Sequence, residues 1–252
     1  QFMLFGAVAL TMLIGVGILF LKLNENAARE EKEAISPTEP EKEVVKTKLT
    51  GPKMRSLIFI LLSIFFWFFG YNAIVSAYSK YAEVQWGLTE GSYAYALILA
   101  QLAAIAAFIP IGMIATKVGR KKTILFGILT LTVAFGSVGF FQEFNVLILA
   151  MFVLAGFGWA AINVNSYPMV VSLSKDADIG KYTGYYYFAS MLSQIFTPIV
   201  SGYLLKYVGY WTLFPYAALF VALSAVTMIF VKHGDSKPKK LESKIEAFDV
   251  ED

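Results

Sequence analysis

Apolar and polar positions along this chain are sorted into blocks instead of alternating. Charge-free apolar runs of roughly 20 residues fall at about 2–21, 56–79, 93–115, 123–141, 146–170, 185–205 and 210–231. Each is long enough to cross the ~30 Å hydrocarbon core of a bilayer as a helix. Backbone N–H and C=O groups in hydrocarbon must be paired within their own segment or in a closed barrel, and runs this long and continuous mean helices. A buried soluble core accounts for one or two such runs, not seven. The pattern predicts an all-α, polytopic membrane helical bundle of seven transmembrane helices.

The first run begins almost at the first residue. A cleavable signal peptide has a short apolar stretch behind a basic segment, whereas Phe2 to Leu21 is full spanning length with no charge before Lys22. It reads as a span, with further sequence expected before Gln1. The basic residues then set orientation. They gather in 22–55 (Lys22, Arg29, Lys32, Lys42, Lys46, Lys48, Lys53, Arg55), at Lys117, Arg120, Lys121 and Lys122, at Lys175 and Lys181, and at Lys232, Lys237, Lys239 and Lys240. The intervening connections hold only Lys80 and Lys206. By the positive-inside rule the basic connections and the tail are cytoplasmic and Gln1 is outside. The expected organisation is a single span at 1–21, a cytoplasmic linker at 22–55, a six-helix transmembrane bundle at 56–232 and a cytoplasmic tail at 233–252. The linker mixes Glu and Lys and contains Pro37, Pro40 and Pro52, with a short helix expected over 25–34.

Composition agrees with this picture and removes other classes. Of 252 residues 58% are hydrophobic and 15% charged, a balance foreign to soluble domains. A net charge of +3 offers no basic face for nucleic acid, and the absence of cysteine removes disulfides, thiolate chemistry and Cys-based metal sites. The one histidine, His233, follows the last run and is assigned no role. No metal or cofactor is expected.

No Asp, Glu, Lys, Arg or His lies mid-span, so no proton relay is visible here. The amides are more informative. Asn72, Gln101, Asn163, Asn165 and Gln194 occupy only the second, third, fifth and sixth runs. An amide facing lipid costs several kcal/mol, so these four spans are expected to face one another or a wet cavity, and the fourth and seventh to be peripheral. Each amide taken singly serves equally well as interhelical glue. Aromatics sit beside them: Tyr71 before Asn72, Trp159 one turn before Asn163, and Tyr185, Tyr186 and Tyr187 before Ser190 and Gln194. Flat apolar rings beside amides suit a sugar, whose C–H face stacks while its hydroxyls bond. The tyrosine run fits an interfacial belt equally well. Pro168 follows Asn163, Asn165 and Ser166, and Pro198 follows Thr197, pointing to interrupted helices of the kind that flank transporter sites. A faint internal echo relates residues 69–74 (FGYNAI) to 157–162 (FGWAAI), as a three-plus-three repeat would.

The strongest motif is the turn Gly112-Met-Ile-Ala-Thr116-Lys-Val-Gly119-Arg120-Lys121-Lys122, in which the small Gly112 is expected to let two helices approach closely and Gly119 to permit a tight turn. It resembles the G-x-x-x-D-x-x-G-R-[RK] loop of the major facilitator superfamily in the degenerate copy between its eighth and ninth helices. The family's acid is Thr116 here, and Asp176 and Asp178 are candidate partners for Arg120. The resemblance covers essentially the whole chain, which looks like helix six, the long central loop and helices seven to twelve of a twelve-helix facilitator, its N-terminal half missing. Within that family, Asn163-Val-Asn165-Ser166-Tyr167-Pro168 and Ile179-Gly-Lys-Tyr-Thr-Gly-Tyr-Tyr-Tyr187 look like the sucrose-type branch of the glycoside–cation symporters. That likeness implies sugar or glycoside uptake coupled to a proton or other cation, and no enzymatic activity. Substrate contacts are expected from Tyr71, Asn72, Gln101, Trp159, Asn163, Asn165 and Gln194. The cytoplasmic gate is expected at Gly112, Thr116, Gly119, Arg120 and Lys121.

Rival readings lack their residues. A retinal protein needs a lysine in the last span, and 210–231 has none; an intramembrane serine protease needs a nucleophile motif with a membrane histidine, and neither occurs. Efflux of drugs or amphiphiles, and a non-transporting membrane sensor, remain the alternatives.

Overall fold

The computed structural model describes residues 6, 10–17, 51–89, 91–174 and 179–235. The chain divides into two compact units, Gln1–Thr47 and Lys48–Asp252. In the first, residues 10–17 are helical. The rest of the span at 2–21, most of the linker with its expected helix at 25–34, the acids Asp176 and Asp178, and the tail beyond 235 lie outside the described residues.

The second unit is built of helices, with no strand among its described residues. Its helices are α1 (Gly51–Trp86), α2 (Ala94–Val118), α3 (Arg120–Val138), α4 (Val146–Val171), α5 (Ile179–Tyr207), a 3-10 turn (Tyr210–Thr212) and α6 (Leu213–Ile229). Six of these stretches are long and apolar enough to cross a membrane, the 3-10 turn and α6 counting as one. The protein is an all-α, multi-pass membrane bundle. Helices overrun the apolar runs because intrahelical hydrogen bonds continue past the hydrocarbon boundary. The 36 residues of α1 are worth roughly 54 Å at ~1.5 Å per residue, well beyond the ~30 Å core. Its ends carry the surplus: Arg55 near one, and Lys80 with its partner Glu83 (3.0 Å) near the other.

Packing follows a pseudo-twofold rule. Helix α1 packs on α5 and α6, α4 packs on α2 and α3, and α3 packs on α6. Exchanging the first three helices with the last three reproduces the same set of pairs. The short sequence echo sits at equivalent places in it. A Cβ on Gly70 would lie 2.5 Å from the carbonyl oxygen of Ala217 on α6, and one on Gly158 would lie 2.8 Å from that of Gly127 on α3. The tightest approach joins α2 to α4, where Gly156 faces the carbonyl of Ala100. Small residues let membrane helices approach this closely, where hydrophobic exclusion supplies no drive. Gly112, read from sequence as a close-approach glycine, has no such role: a Cβ there meets Val164 at an ordinary 3.6 Å.

Two further expectations are corrected. Helices α4 and α5 run unbroken through Pro168 and Pro198. Hydroxyls engage carbonyls of the turns before each proline: Ser166 Oγ reaches Asn163 O at 3.4 Å, and Thr197 Oγ1 donates to Ser193 O at 2.6 Å. The amide-free helices are not the least enclosed. Helix α2 is the most open of the six and α5 the next, while α3 is the most buried. What distinguishes α3 and α6 is the character of their outer faces, which are apolar: Phe126, Leu129 and Val133 on one, Leu219, Val226 and Ile229 on the other.

One end of the bundle gathers the basic connections, and the segment after α6 straps it. Lys121 Nζ donates to Ile229 O (2.8 Å) and Val231 O (2.5 Å), capping the last carbonyls of α6. The Lys121 amide donates to Asp235 Oδ1 at 3.3 Å, and Ser172 Oγ, at the C-terminal end of α4, donates to Gly234 O at 2.8 Å. On α1, the buried Ser56 hydroxyl accepts the amides of Lys232 and His233, each at 3.2 Å. Residues 231–235 thus touch α1, α3 and α4.

These contacts generate two expectations. Replacing Gly156 by Ala forces α2 and α4 apart and costs about 1–3 kcal/mol, read as a lowered Tm of the detergent-solubilised protein. Gly202→Ala, where a Cβ meets nothing within 4 Å, does not lower Tm, since alanine is the better helix former. Lys121→Met removes a charged, partly solvent-exposed donor from two carbonyls and costs about 0.5–1.5 kcal/mol, with faster hydrogen exchange in the amides of the 231–235 strap.

Candidate functional site

Helical spacing carries Phe68, Tyr71 and Asn72 through about one turn of α1, and Trp159 and Asn163 through one turn of α4. Across the narrow contact between these helices the Tyr71 and Trp159 rings lie flat on each other, with centroids 3.6 Å apart and planes 1° from parallel. Phe68 meets the same Trp159 edge-on at 5.2 Å. Gln101, on α2, donates from Nε2 to the Tyr71 hydroxyl at 3.3 Å. Three helices are therefore joined by one aromatic stack with an amide at its rim.

On the other side of Phe68 lies a recess of about 470 Å³, lined by Phe68 of α1, Asn163 and Tyr167 of α4, and Tyr186, Tyr187, Ser190, Met191 and Gln194 of α5. Asn163 Nδ2 donates to Trp159 O at 3.2 Å, a turn back on its own helix, which links its amide to the stack. The wall between α4 and α5 is fastened by hydroxyls: Ser166 Oγ and Tyr186 Oη are 3.2 Å apart, and Tyr167 Oη and Thr183 Oγ1 are 3.0 Å apart. The tyrosine run divides accordingly. Tyr186 is buried in that wall, Tyr187 is half exposed into the recess, and Tyr185 turns toward Lys181, whose Nζ stands 6.0 Å from its ring.

The residues singled out from sequence thus separate into groups. Tyr71, Gln101 and Trp159 form the stack, and Asn163 and Gln194 line the adjoining recess. Asn72 sits next to Tyr71 with a buried Nδ2 that has no hydrogen-bond partner among the described residues, which costs about 1–3 kcal/mol if no solute or water meets it. Asn165 goes elsewhere. It is 2% exposed and donates to Ala161 O at 2.9 Å. It lines a separate recess of about 150 Å³ with Gly112, Ala115, Thr116, Arg120, Val164 and Pro168. Residues two apart on a helix point about 200° from each other, so Asn163 and Asn165 cannot share a face. Phe68 was not singled out, and Tyr167, Tyr186 and Tyr187 were named within their motifs with no substrate contact expected of them. The signal was present on α5, where Tyr187, Ser190, Met191 and Gln194 follow the i, i+3, i+4, i+7 spacing of a single face.

The loop motif forms a compact turn. Gly119 adopts φ 105°, a conformation disfavoured for residues with a Cβ, and its carbonyl accepts from Thr123 Oγ1 at 2.9 Å. Thr116 donates to Met113 O of its own helix at 2.7 Å. Arg120 Nη1 reaches Pro168 O at 3.4 Å, linking the start of α3 to the end of α4.

No curated protein sequence matches the chain. Solved structures do match its fold. A peptide transporter of the POT family in complex with sulfate superposes with TM-score 0.64 at 19% identity, over 87% of this chain and 46% of that one. The POT family transporter PepTSo gives 0.63 at 16%, over 74% and 40%. The human organic anion transporter MFSD10 (TETRAN) gives 0.59 at 13%, over 77% and 51%. The chain therefore spans about half, or less, of the length of the structures it matches. The family model of the Major Facilitator Superfamily matches residues 60–249. That match runs across all six helices of the second unit, and the chain belongs to the Major Facilitator Superfamily.

Proposed function

We propose that this chain forms the C-terminal half of a twelve-helix secondary transporter, helix six through helix twelve, and carries a sugar or glycoside by proton-coupled symport. The reading rests chiefly on the recess between α1, α4 and α5, where aromatic faces (Phe68, Tyr167, Tyr187) and amides (Asn163, Gln194) meet around one space. A sugar ring stacks its C–H face on such rings and bonds its hydroxyls to such amides. Tyr71, Trp159 and Gln101 extend the surface toward α2, and Asn72 Nδ2, without a partner among the described residues, is a further donor. Helices α2 and α5, the most open of the unit, are the faces to which an N-terminal half would dock. The six helices would then rock as a body against that half, with solute held near the midplane. Gly112, Thr116, Gly119, Arg120 and Lys121 would act at the cytoplasmic gate, with Asn165 packed against that motif and not against solute. The basic end of the bundle is assigned to the cytoplasm, together with the linker and the tail.

The sucrose-type similarity of 163–168 and 179–187 supports the substrate class. Export of amphiphiles is the second reading, favoured by Phe68 and Met191 in the same recess. Uptake of a radiolabelled glycoside by cells making the full-length transporter separates the two. Uptake that collapses with a protonophore supports symport, whereas energy-dependent expulsion of a lipophilic dye supports export. In the symport case Asn163→Leu lowers glycoside uptake at least about tenfold, as loss of one buried hydrogen bond to solute requires, with surface expression unchanged. Wild-type uptake kinetics in this variant remove Asn163 from the site.

A further inference from the structure

At the basic end, outside both recesses above, α1 and the strap after α6 enclose a third and larger hollow of about 630 Å³. Arg55, Ser56, Phe59, Phe230, Lys232 and His233 are among the residues that line it. Its charge has one sign: among the described residues that line it, Arg55 and Lys232 are cationic and none is acidic. The nearest acid of the strap, Asp235, is turned toward the start of α3, with one carboxylate oxygen on the Lys121 amide and both close to Gly119.

The hydrogen bonds at the back of the hollow prepare a third donor. Ser56 Oγ accepts two backbone amides, from Lys232 and His233, and lies 3.0 Å from His233 Nδ1. With both its lone pairs taken, the hydroxyl donates its own proton to Nδ1. That places the proton of the neutral imidazole on Nε2, which becomes an N–H donor of a residue lining the hollow. Ser56 itself is buried, 2% exposed, so this arrangement is built into the fold and is not a surface accident.

The opposite wall is apolar. The Phe59 and Phe230 rings lie 5.3 Å apart. The same two helices expose Ile58 and Leu62 of α1 and Val226 and Ile229 of α6, within about a turn of those rings, as hydrocarbon. A hollow with cations and an imidazole donor at the water boundary, beside such hydrocarbon, matches an amphiphile with an anionic head. It is also far larger than a bare phosphate needs. We propose that this hollow is a binding site for an anionic phospholipid. Its phosphate is held by Arg55, Lys232 and His233 Nε2, and its acyl chains lie along the α1–α6 face. Basic pockets between membrane helices take lipid headgroups by this electrostatic logic. Occupancy ties α1 to the strap and hence to α3 and α4, independently of which solute the protein carries.

The test uses the full chain in nanodiscs of phosphatidylcholine with or without phosphatidylglycerol, with co-released lipid read by native mass spectrometry. Wild-type protein is expected to retain phosphatidylglycerol in preference to phosphatidylcholine. Arg55→Gln and Lys232→Gln are each expected to weaken that retention roughly fivefold, with helical circular dichroism unchanged. Lys122→Gln, at the same end of the bundle but outside the hollow, is expected to leave it intact. Equal retention of the two lipids, equal loss in Lys122→Gln, or no loss in the two hollow variants overturns the proposal. Displacement of the lipid by inorganic phosphate alone also overturns it, and assigns the hollow to a free anion.

Discussion

Everything in the six-helix unit depends on how closely its helices approach, because hydrocarbon gives apolar side chains no reason to leave it. Contact between backbones is what remains, and glycine supplies it. Gly156 against Ala100, Gly70 against Ala217 and Gly158 against Gly127 set the separation of α4 from α2, of α1 from α6 and of α4 from α3. Each contact also fixes the rotation of its helix about its own axis. Once α1 and α4 are turned so that Gly70 and Gly158 face α6 and α3, the residues that follow them, Tyr71 and Trp159, are directed at each other. Their parallel stacking at 3.6 Å is thus a consequence of the glycine contacts on their outer sides.

Polar groups occupy what that rotation leaves over. The exposed faces of α3 and α6 are hydrocarbon, as a surface meeting lipid tails requires. The exposed faces of α2 and α5 carry Gln101, Tyr187 and Gln194 among their apolar residues. This helix pair is both the most open in the unit and the bearer of its exposed helical amides. At the basic end a different economy holds. There the chain leaves the membrane, helix-terminal carbonyls lose their intrahelical partners, and Lys121, Ser56 and Ser172 supply donors and acceptors that fold residues 231–235 back over the bundle.

Individual residues show how far a sequence reading reaches. The apolar runs located all six helices of the second unit. The six-residue echo identified positions that prove structurally equivalent, because both copies face the same kind of glycine contact. Tyr71 and Trp159 were legible as a pair from that echo. The amides were legible only as a set. Asn163 and Asn165, two residues apart in one motif, end in different recesses, and Phe68 drew no attention as an ordinary membrane aromatic. The prolines misled, since hydroxyls at Ser166 and Thr197 sit on the turns where breaks were expected. Gly112 misled as well, since its family motif does not say which glycine meets a backbone.

The sequence by itself determined that this protein crosses a membrane repeatedly as helices, where those helices lie and which of their connections are basic. Transfer of a segment into hydrocarbon is a sum over its own residues and needs no knowledge of neighbours. Only the tertiary structure decided which side chains meet: the stack, the division of the two asparagines, and the strap that joins Ser56 to His233 across 177 positions. Those contacts depend on the rotation and separation of whole helices, which are set jointly by backbone contacts distant in sequence. No window along the chain contains them.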